Sequence, residues 1–287
     1  MDIIDPHLHL FDLTKGDYHW LQAKQAPFWP DKYKIHSNFS EQDLELDSNT
    51  NIIGFVHIEA GFNNQHPHRE IQWLEQTCNL AFKSIAFLDI TSNNFAEQLG
   101  KLKQFKSLVG IRHILDQQLL EILSQQHTLK NLQLLAASDL IFEAQFDIAN
   151  ANDCQIFVDT IKQCSNLKVV INHAGFAANN KIDEKYRDSL SLLASLDNCW
   201  IKCSGWEMQN RDWQTSDIKP LLELIITTFG IERVMLASNF PVSNLAMSYK
   251  QLWQKYSKEL LANFSLKQKK QLSVDNAKLF YRFNLPS

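Results

Sequence analysis

The feature that most constrains this chain is an alternation. Short, nearly continuous apolar runs at 3–7, 52–58, 84–88, 108–113, 140–146, 167–172, 199–203 and 233–237 are separated by amphipathic stretches. Runs rich in Val, Ile and Phe with no polar side are what strands covered on both faces require, and such strands pair in parallel. Between them, 69–82 carries Ile71, Leu74, Cys78 and Phe82 at helical spacing, and 96–105 carries Leu99, Leu102 and Phe105. Segments 151–164, 188–196, 217–229 and 249–261 read the same way. Eight strands alternating with helices predict an α/β fold, either a (β/α)8 barrel or a doubly wound open sheet. Both place active sites at the carboxyl ends of the strands.

Composition narrows the function classes. Of 287 residues, 45% are hydrophobic and 21% charged, which suits one large folded domain rather than a disordered chain. The formal net charge is −4 and the basic residues are scattered, so no nucleic-acid partner is expected. The five cysteines include no C-x-x-C pair, which argues against a disulfide framework and a structural zinc module. Neither a secretory leader nor an apolar run long enough for a membrane span is evident, and a cytoplasmic location is expected.

The strand ends carry the chemistry. The first run leads into Asp5-Pro6-His7-Leu8-His9-Leu10-Phe11-Asp12, and a period of two puts His7 and His9 on one face. Two imidazoles about 7 Å apart along a strand can converge on one metal ion or one substrate oxygen. The second run ends in His57-Ile58-Glu59, the fourth in Arg112-His113, and the sixth in Asn172-His173. The seventh ends in Lys202-Cys203-Ser204-Gly205-Trp206-Glu207, and the eighth in Ser238-Asn239-Phe240-Pro241. Histidines at four strand ends point to a site. The aromatic-rich segment 17–38 is expected to cover its mouth.

These motifs carry a resemblance. D-P-H-L-H-L-F-D at 5–12, Y-H-W at 18–20, V-H-I-E-A at 56–60 and G-I-R-H-I-L at 110–115 are four of its pieces. V-V-I-N-H-A-G at 169–175, K-C-S-G-W-E at 202–207, F-G-I-E-R-V-M-L-A-S-N-F-P-V at 229–242 and D-N-A-K-L-F-Y at 275–281 complete it in order from end to end. The chain resembles the amidohydrolase superfamily, in its amidohydrolase-2 branch of sugar-lactone hydrolases (fuconolactonase and rhamnonolactonase types) and pyrone-dicarboxylate lactonase.

The resemblance implies a distorted (β/α)8 TIM barrel, residues 1–287 as one domain, and a hydrolase opening a lactone to the hydroxy acid. It implies His7, His9 and His173 as site histidines and, where a metal is held, as its ligands. It implies Arg112 and His113 on substrate oxygens, and Trp20 and Trp206 presenting ring faces to a sugar; His57, which is not the family's usual strand-two residue, is a further expected substrate contact. The expected cofactor is none or a weakly bound divalent metal (Zn²⁺ or Mn²⁺), the expected partner is a small-molecule substrate, and the chain is expected to be a monomer or homodimer.

The strand-eight motif departs from the family. Where an Asp usually serves as metal ligand or general base, this chain has Asn239, and an amide cannot take a proton from water at neutral pH. Glu59, standing where Gln is common, is the expected replacement, or one of the histidines. Three alternatives remain open: a non-catalytic binder of a sugar acid or lactone, a metal-dependent decarboxylase of the same superfamily, and a metal-bound water oriented by Asn239.

Overall fold

In a computed structural model that describes residues 1–177 and 181–284, eight parallel strands run in the order β1 to β8 around one sheet. They are β1 (Asp2–Leu8), β2 (Asn51–Ile58), β3 (Phe82–Phe87), β4 (Leu108–Ile114), β5 (Ile141–Gln145), β6 (Val169–Ile171), β7 (Cys199–Cys203) and β8 (Val234–Leu236). Sequential neighbours with parallel pairing and helical crossovers are the barrel solution; a doubly wound sheet would reverse its strand order at a switch point.

The ring closes past the end of β8, not through it. The His9 N–H donates to the Phe240 carbonyl at 2.7 Å, and the Asn239 N–H donates to the His7 carbonyl at 2.9 Å. Leu8 and Phe240 form a parallel bridge. The Asp5 carboxylate accepts from the His7 and Ser238 backbone N–H groups at 3.2 and 3.1 Å. This seam is the distortion that the resemblance implied. A second departure from a regular barrel lies between β1 and β2, where only the short 3-10 turns His19–Leu21, Lys32–Ile35 and Glu41–Asp43 are formed.

Helices after the later strands cover the barrel and bury one apolar stripe each. Ala151–Lys162 buries Cys154, Phe157, Val158 and Ile161, and Thr215–Phe229 buries Ile218, Leu221, Leu222, Ile225 and Phe229. The first expected helix, 69–82, is shorter in the structure: it spans His68–Thr77. The Glu41 carboxylate takes the Asn79 and Leu80 backbone N–H groups, which draws the chain out of the helix, and Phe82 opens β3 instead. The helix Thr128–Ala137 was not anticipated from the sequence.

A separate apolar cluster plugs the other end of the barrel. Ile4, Val56, Ile85, Val109, Ile141, Val170 and Met235 pack with Val274, Ala277, Phe280, Tyr281 and Phe283 of the C-terminal segment. Asn276 fixes that segment by donating to the Ile231 and Val234 carbonyls, each at 2.7 Å. One end is therefore sealed by side chains, and chemistry is confined to the carboxyl ends of the strands.

The β4–β5 contact is the tightest test of this packing. Gly110 lies opposite Ile141, and a Cβ on it would sit 2.5 Å from the Ile141 carbonyl oxygen and 2.8 Å from Ile85 Cδ1. Gly110→Ala is therefore expected to destabilise the fold by about 1–3 kcal/mol, as overpacking does. A lower midpoint in thermal and urea unfolding checks this.

Candidate active site

Three imidazoles meet at the open end. The His7 ring centroid lies 5.1 Å from that of His9 and 4.5 Å from that of His173. His7 and His9 come from β1 and the residue just past it, and His173 from a left-handed turn after β6 with φ 54°. Burial lowers the pKa of all three, and the Arg112 and Lys202 cations lower those of His7 and His173 further. All three rings are neutral at pH 7.

The hydrogen bonds set the tautomers. Lys202 Nζ donates to His7 Nδ1 at 3.4 Å, so the neutral His7 ring carries its proton on Nε2. That Nε2 is buried with no protein partner. His9 is reversed: its Nδ1 faces the Ile58 carbonyl at 2.8 Å, an acceptor only, so Nδ1 holds the proton and Nε2 the lone pair. His173 Nδ1 meets the Ser204 hydroxyl at 3.1 Å, which can play either role.

Behind His7 lies an ionic triad that sequence reasoning did not assign. Lys202 Nζ donates to both Glu143 oxygens at 2.7 and 2.6 Å, and Tyr281 Oη donates to Glu143 Oε1 at 2.7 Å. Burial pulls the Lys202 pKa down to about 8, against the pull of Glu143, so the ammonium persists at neutral pH. The signal was present: Lys202 and Glu143 are opposite charges in the middle of otherwise apolar strands.

Arg112 is the second buried cation. Its Nε donates to Glu59 Oε1 at 2.8 Å, one Nη to the Glu59 carbonyl at 2.7 Å, and the other to Gln145 Oε1 at 3.3 Å. Burial raises the Glu59 pKa and the Arg112 charge opposes that rise. Glu59 thus anchors the guanidinium, and its carboxylate is committed there rather than free to serve as the base in place of Asn239.

Four expected substrate contacts separate. His57 points outward to the helix His68–Thr77: its Nε2 meets Glu70 Oε1 at 3.0 Å and its Nδ1 accepts from the Leu10 N–H at 3.2 Å. Both ring nitrogens are occupied, so His57 is a structural strut. His113 turns away from Arg112 and accepts from the Ile90 N–H at 3.3 Å, with its ring against Phe87. Trp206 is buried in the core and donates through Nε1 to Tyr256 Oη at 2.7 Å, so its ring faces protein. Trp20 alone of the four stays at the mouth, half-buried, its Nε1 donating to the Ala60 carbonyl at 2.8 Å.

Asn239 sits in a left-handed conformation, φ 60°, which Asn tolerates better than most residues. Its Nδ2 donates to Glu207 Oε1 at 2.6 Å and also touches Met208 Sδ at 3.3 Å. Glu207 is buried, and burial pushes its carboxyl up to about 7, with hydrogen bonds from its own backbone and Asn239 opposing the rise. Sequence reasoning noticed Glu207 at the end of the seventh run without placing it in the site, because its approach to Asn239 depends on the turn at Gly205, φ 74°.

The expected ligand set His7, His9 and His173 does not fit a resident divalent ion in this arrangement. A ligating histidine offers a lone pair and donates its other N–H outward. His9 does this, but the Lys202 ammonium forces His7 to offer an N–H. Among the described residues no three His, Cys, Asp or Glu side chains are grouped to hold a metal. A cavity of about 270 Å³ beside the barrel, lined by Asp12, Lys15, Phe39, Trp73 and Cys78 among others, includes none of the site residues.

Parallel barrel, carboxyl-end histidines and buried cations define an enzyme-like (β/α)8 site. The chain matches the amidohydrolase family (Amidohydro_2) over residues 4–283, and it belongs to that family. It is 28% identical to "Uncharacterized protein y4mH" of Sinorhizobium fredii, over 98% of each chain. It is 22% identical to an L-fucono-1,5-lactonase of Burkholderia ambifaria, over 82% of each. Among solved structures, a zinc-bound amidohydrolase from Burkholderia multivorans superposes with a TM-score of 0.80 at 19% identity, covering 99% of this chain and 100% of that one. At that identity the likeness speaks for the fold alone. No helix among the described residues is long and apolar enough to cross a membrane.

The Lys202–Glu143 pair yields a prediction. Lys202→Met leaves a buried carboxylate without its cation and is expected to cost about 3–5 kcal/mol of stability. Adding Glu143→Leu should recover part of the loss. Chemical denaturation of the two variants checks both signs.

Proposed function

We propose that this protein hydrolyses a lactone, a sugar-derived or related carboxylated ring ester, to the open hydroxy acid. The observation that carries the reading is the polarity of the site. A buried, unpartnered His7 Nε2–H stands in the field of Lys202 and Arg112. A carbonyl oxygen that gains negative charge when water attacks it needs just such donors, fixed beforehand in a dry site. The similarity to fuconolactonases, although distant, supports the same class of substrate.

In this reading the lactone carbonyl oxygen lies against His7 Nε2–H, and the positive field draws in an anionic or polyhydroxylated ligand. His9 Nε2 accepts from a substrate hydroxyl or from the attacking water, but its lowered pKa makes it a poor proton store. Trp20 lines the rim.

The test is a pH-indicator assay against five- and six-membered aldonolactones. Stereospecific turnover is expected, and His7→Ala should lower kcat/KM by about 10²–10³, the size of losing one oxyanion donor. Arg112→Ala should also weaken activity. Absence of turnover across the panel, with lactones or sugar acids still raising the melting temperature, would replace the hydrolase reading with that of a binder.

A further inference from the structure

The buried carboxylates at this end of the barrel are not equivalent. Glu143 is bound by Lys202 and Tyr281, Glu59 by Arg112, and Asp5 by two backbone N–H groups of the seam. The Glu207 carboxylate instead meets the side-chain amide of Asn239, at the end of β8. The nearby Arg211 guanidinium is turned elsewhere: it donates to the Glu207 backbone carbonyl and pairs with Asp31 at 2.9 Å. The neutral histidines are too weakly basic to hold a proton, and Glu59 is committed to Arg112.

We propose that Glu207 is the general base of the hydrolysis and that Asn239 is the positioning residue that aims it. The carboxylate missing from strand eight is thereby supplied from the turn after β7. The proposal rests on the lactone-hydrolysis reading above. Asn239 cannot accept a proton, but its Nδ2–H fixes Glu207 Oε1 at 2.6 Å, and in this scheme Oε2 takes the proton from water.

The step balances as follows. Glu207 takes one proton from water as the water oxygen bonds to the lactone carbonyl carbon. The carbonyl π electrons move to the oxygen held by His7 Nε2–H. When the intermediate collapses, the bond from that carbon to the ring oxygen breaks, and the departing alkoxide takes the proton back from Glu207. The sum is lactone plus water giving hydroxy acid, with Glu207 returned to its ionised form.

A carboxyl held up to about 7 by burial suits this task, because it can both accept and return a proton near neutral pH. The ionisable groups around it are Arg211 with its partner Asp31, and Tyr256. Arg211 favours the ionised form. The Tyr256 hydroxyl accepts from Trp206 and donates to the Ala237 carbonyl at 3.2 Å. Its pKa is pushed well up, so it stays neutral and adds no charge.

The experiment is kcat/KM against pH for the full chain, on a lactone that the wild type hydrolyses. The variants are Glu207→Gln, Asn239→Asp and the double variant Glu207→Gln/Asn239→Asp. A base must be ionised, so wild-type activity should fall as pH drops through about 7. Glu207→Gln keeps an acceptor for Asn239 Nδ2, yet should lose about 100-fold or more and the acid limb with it. Asn239→Asp alone sets two carboxyls against each other and should move the limb upward. The double variant restores one carboxylate and should regain about tenfold over Glu207→Gln, with a limb of its own.

Glu207→Gln with the wild-type rate and limb would overturn the proposal while leaving the lactonase standing. So would a lower rate with the limb unmoved, which would mark a structural role. No turnover of any lactone by the wild type would overturn the lactonase reading and the base with it.

Discussion

The seam where β1 meets the chain beyond β8 is the constraint on which the site depends. A barrel with a gap there would leave the carbonyls of His7 and Phe240 without donors at a buried edge, at a cost of about 1–3 kcal/mol per group. Asp5 adds a carboxylate that holds Ser238 and His7 by their backbone N–H groups. Burial lifts its pKa to about 6, so keeping it ionised is itself costly. What the seam achieves is registration: His7, His9 and Asn239 are set side by side by main-chain bonds, whatever their side chains do.

Charge is then distributed around that frame in a graded way. Two buried cations, Lys202 and Arg112, are each tied to a carboxylate, and their charge adds to the burial that keeps three histidines neutral. A further buried carboxylate, Glu207, has an amide for its partner. A carboxylate in a direct salt bridge is held ionised, whereas one whose hydrogen-bond partner is a neutral amide gives up that ionisation more readily. The same residue type therefore serves as anchor at Glu59 and Glu143 and as a candidate proton acceptor at Glu207.

Much of this was legible in the amino-acid sequence. The eight apolar runs map onto the eight strands, and His7, His9 and His173 meet as their motifs implied. The separation of His113 from Arg112, and of His57 from the mouth, follows from the period of two along a strand. Adjacent residues face opposite ways, and Val56 and Ile58 already claim the barrel interior on either side of His57. The Asn239–Glu207 pairing was not legible, because it is made by two turns outside any strand, each with a left-handed residue. The end of the helix at Thr77 was hidden for a similar reason: the carboxylate that stops it, Glu41, is remote in sequence.

The segment before β2 is built on a different device. Lys32 is buried, and its ammonium donates to the carbonyls of Trp20, Gln22 and Gln25 at 2.6, 3.0 and 2.7 Å. Asp31, its neighbour, reaches across to Arg211 in the segment that carries Glu207. The segment is held by this ammonium on main-chain acceptors, by the Trp20 and Asp31 contacts and by the buried Tyr18, Leu21 and Ile35, whereas Phe28 and Tyr33 point into solvent. Its exposed side chains can be exchanged without unfolding it. The rim of the pocket can thus be re-cut for a new ligand while the reacting groups beneath it stay in register.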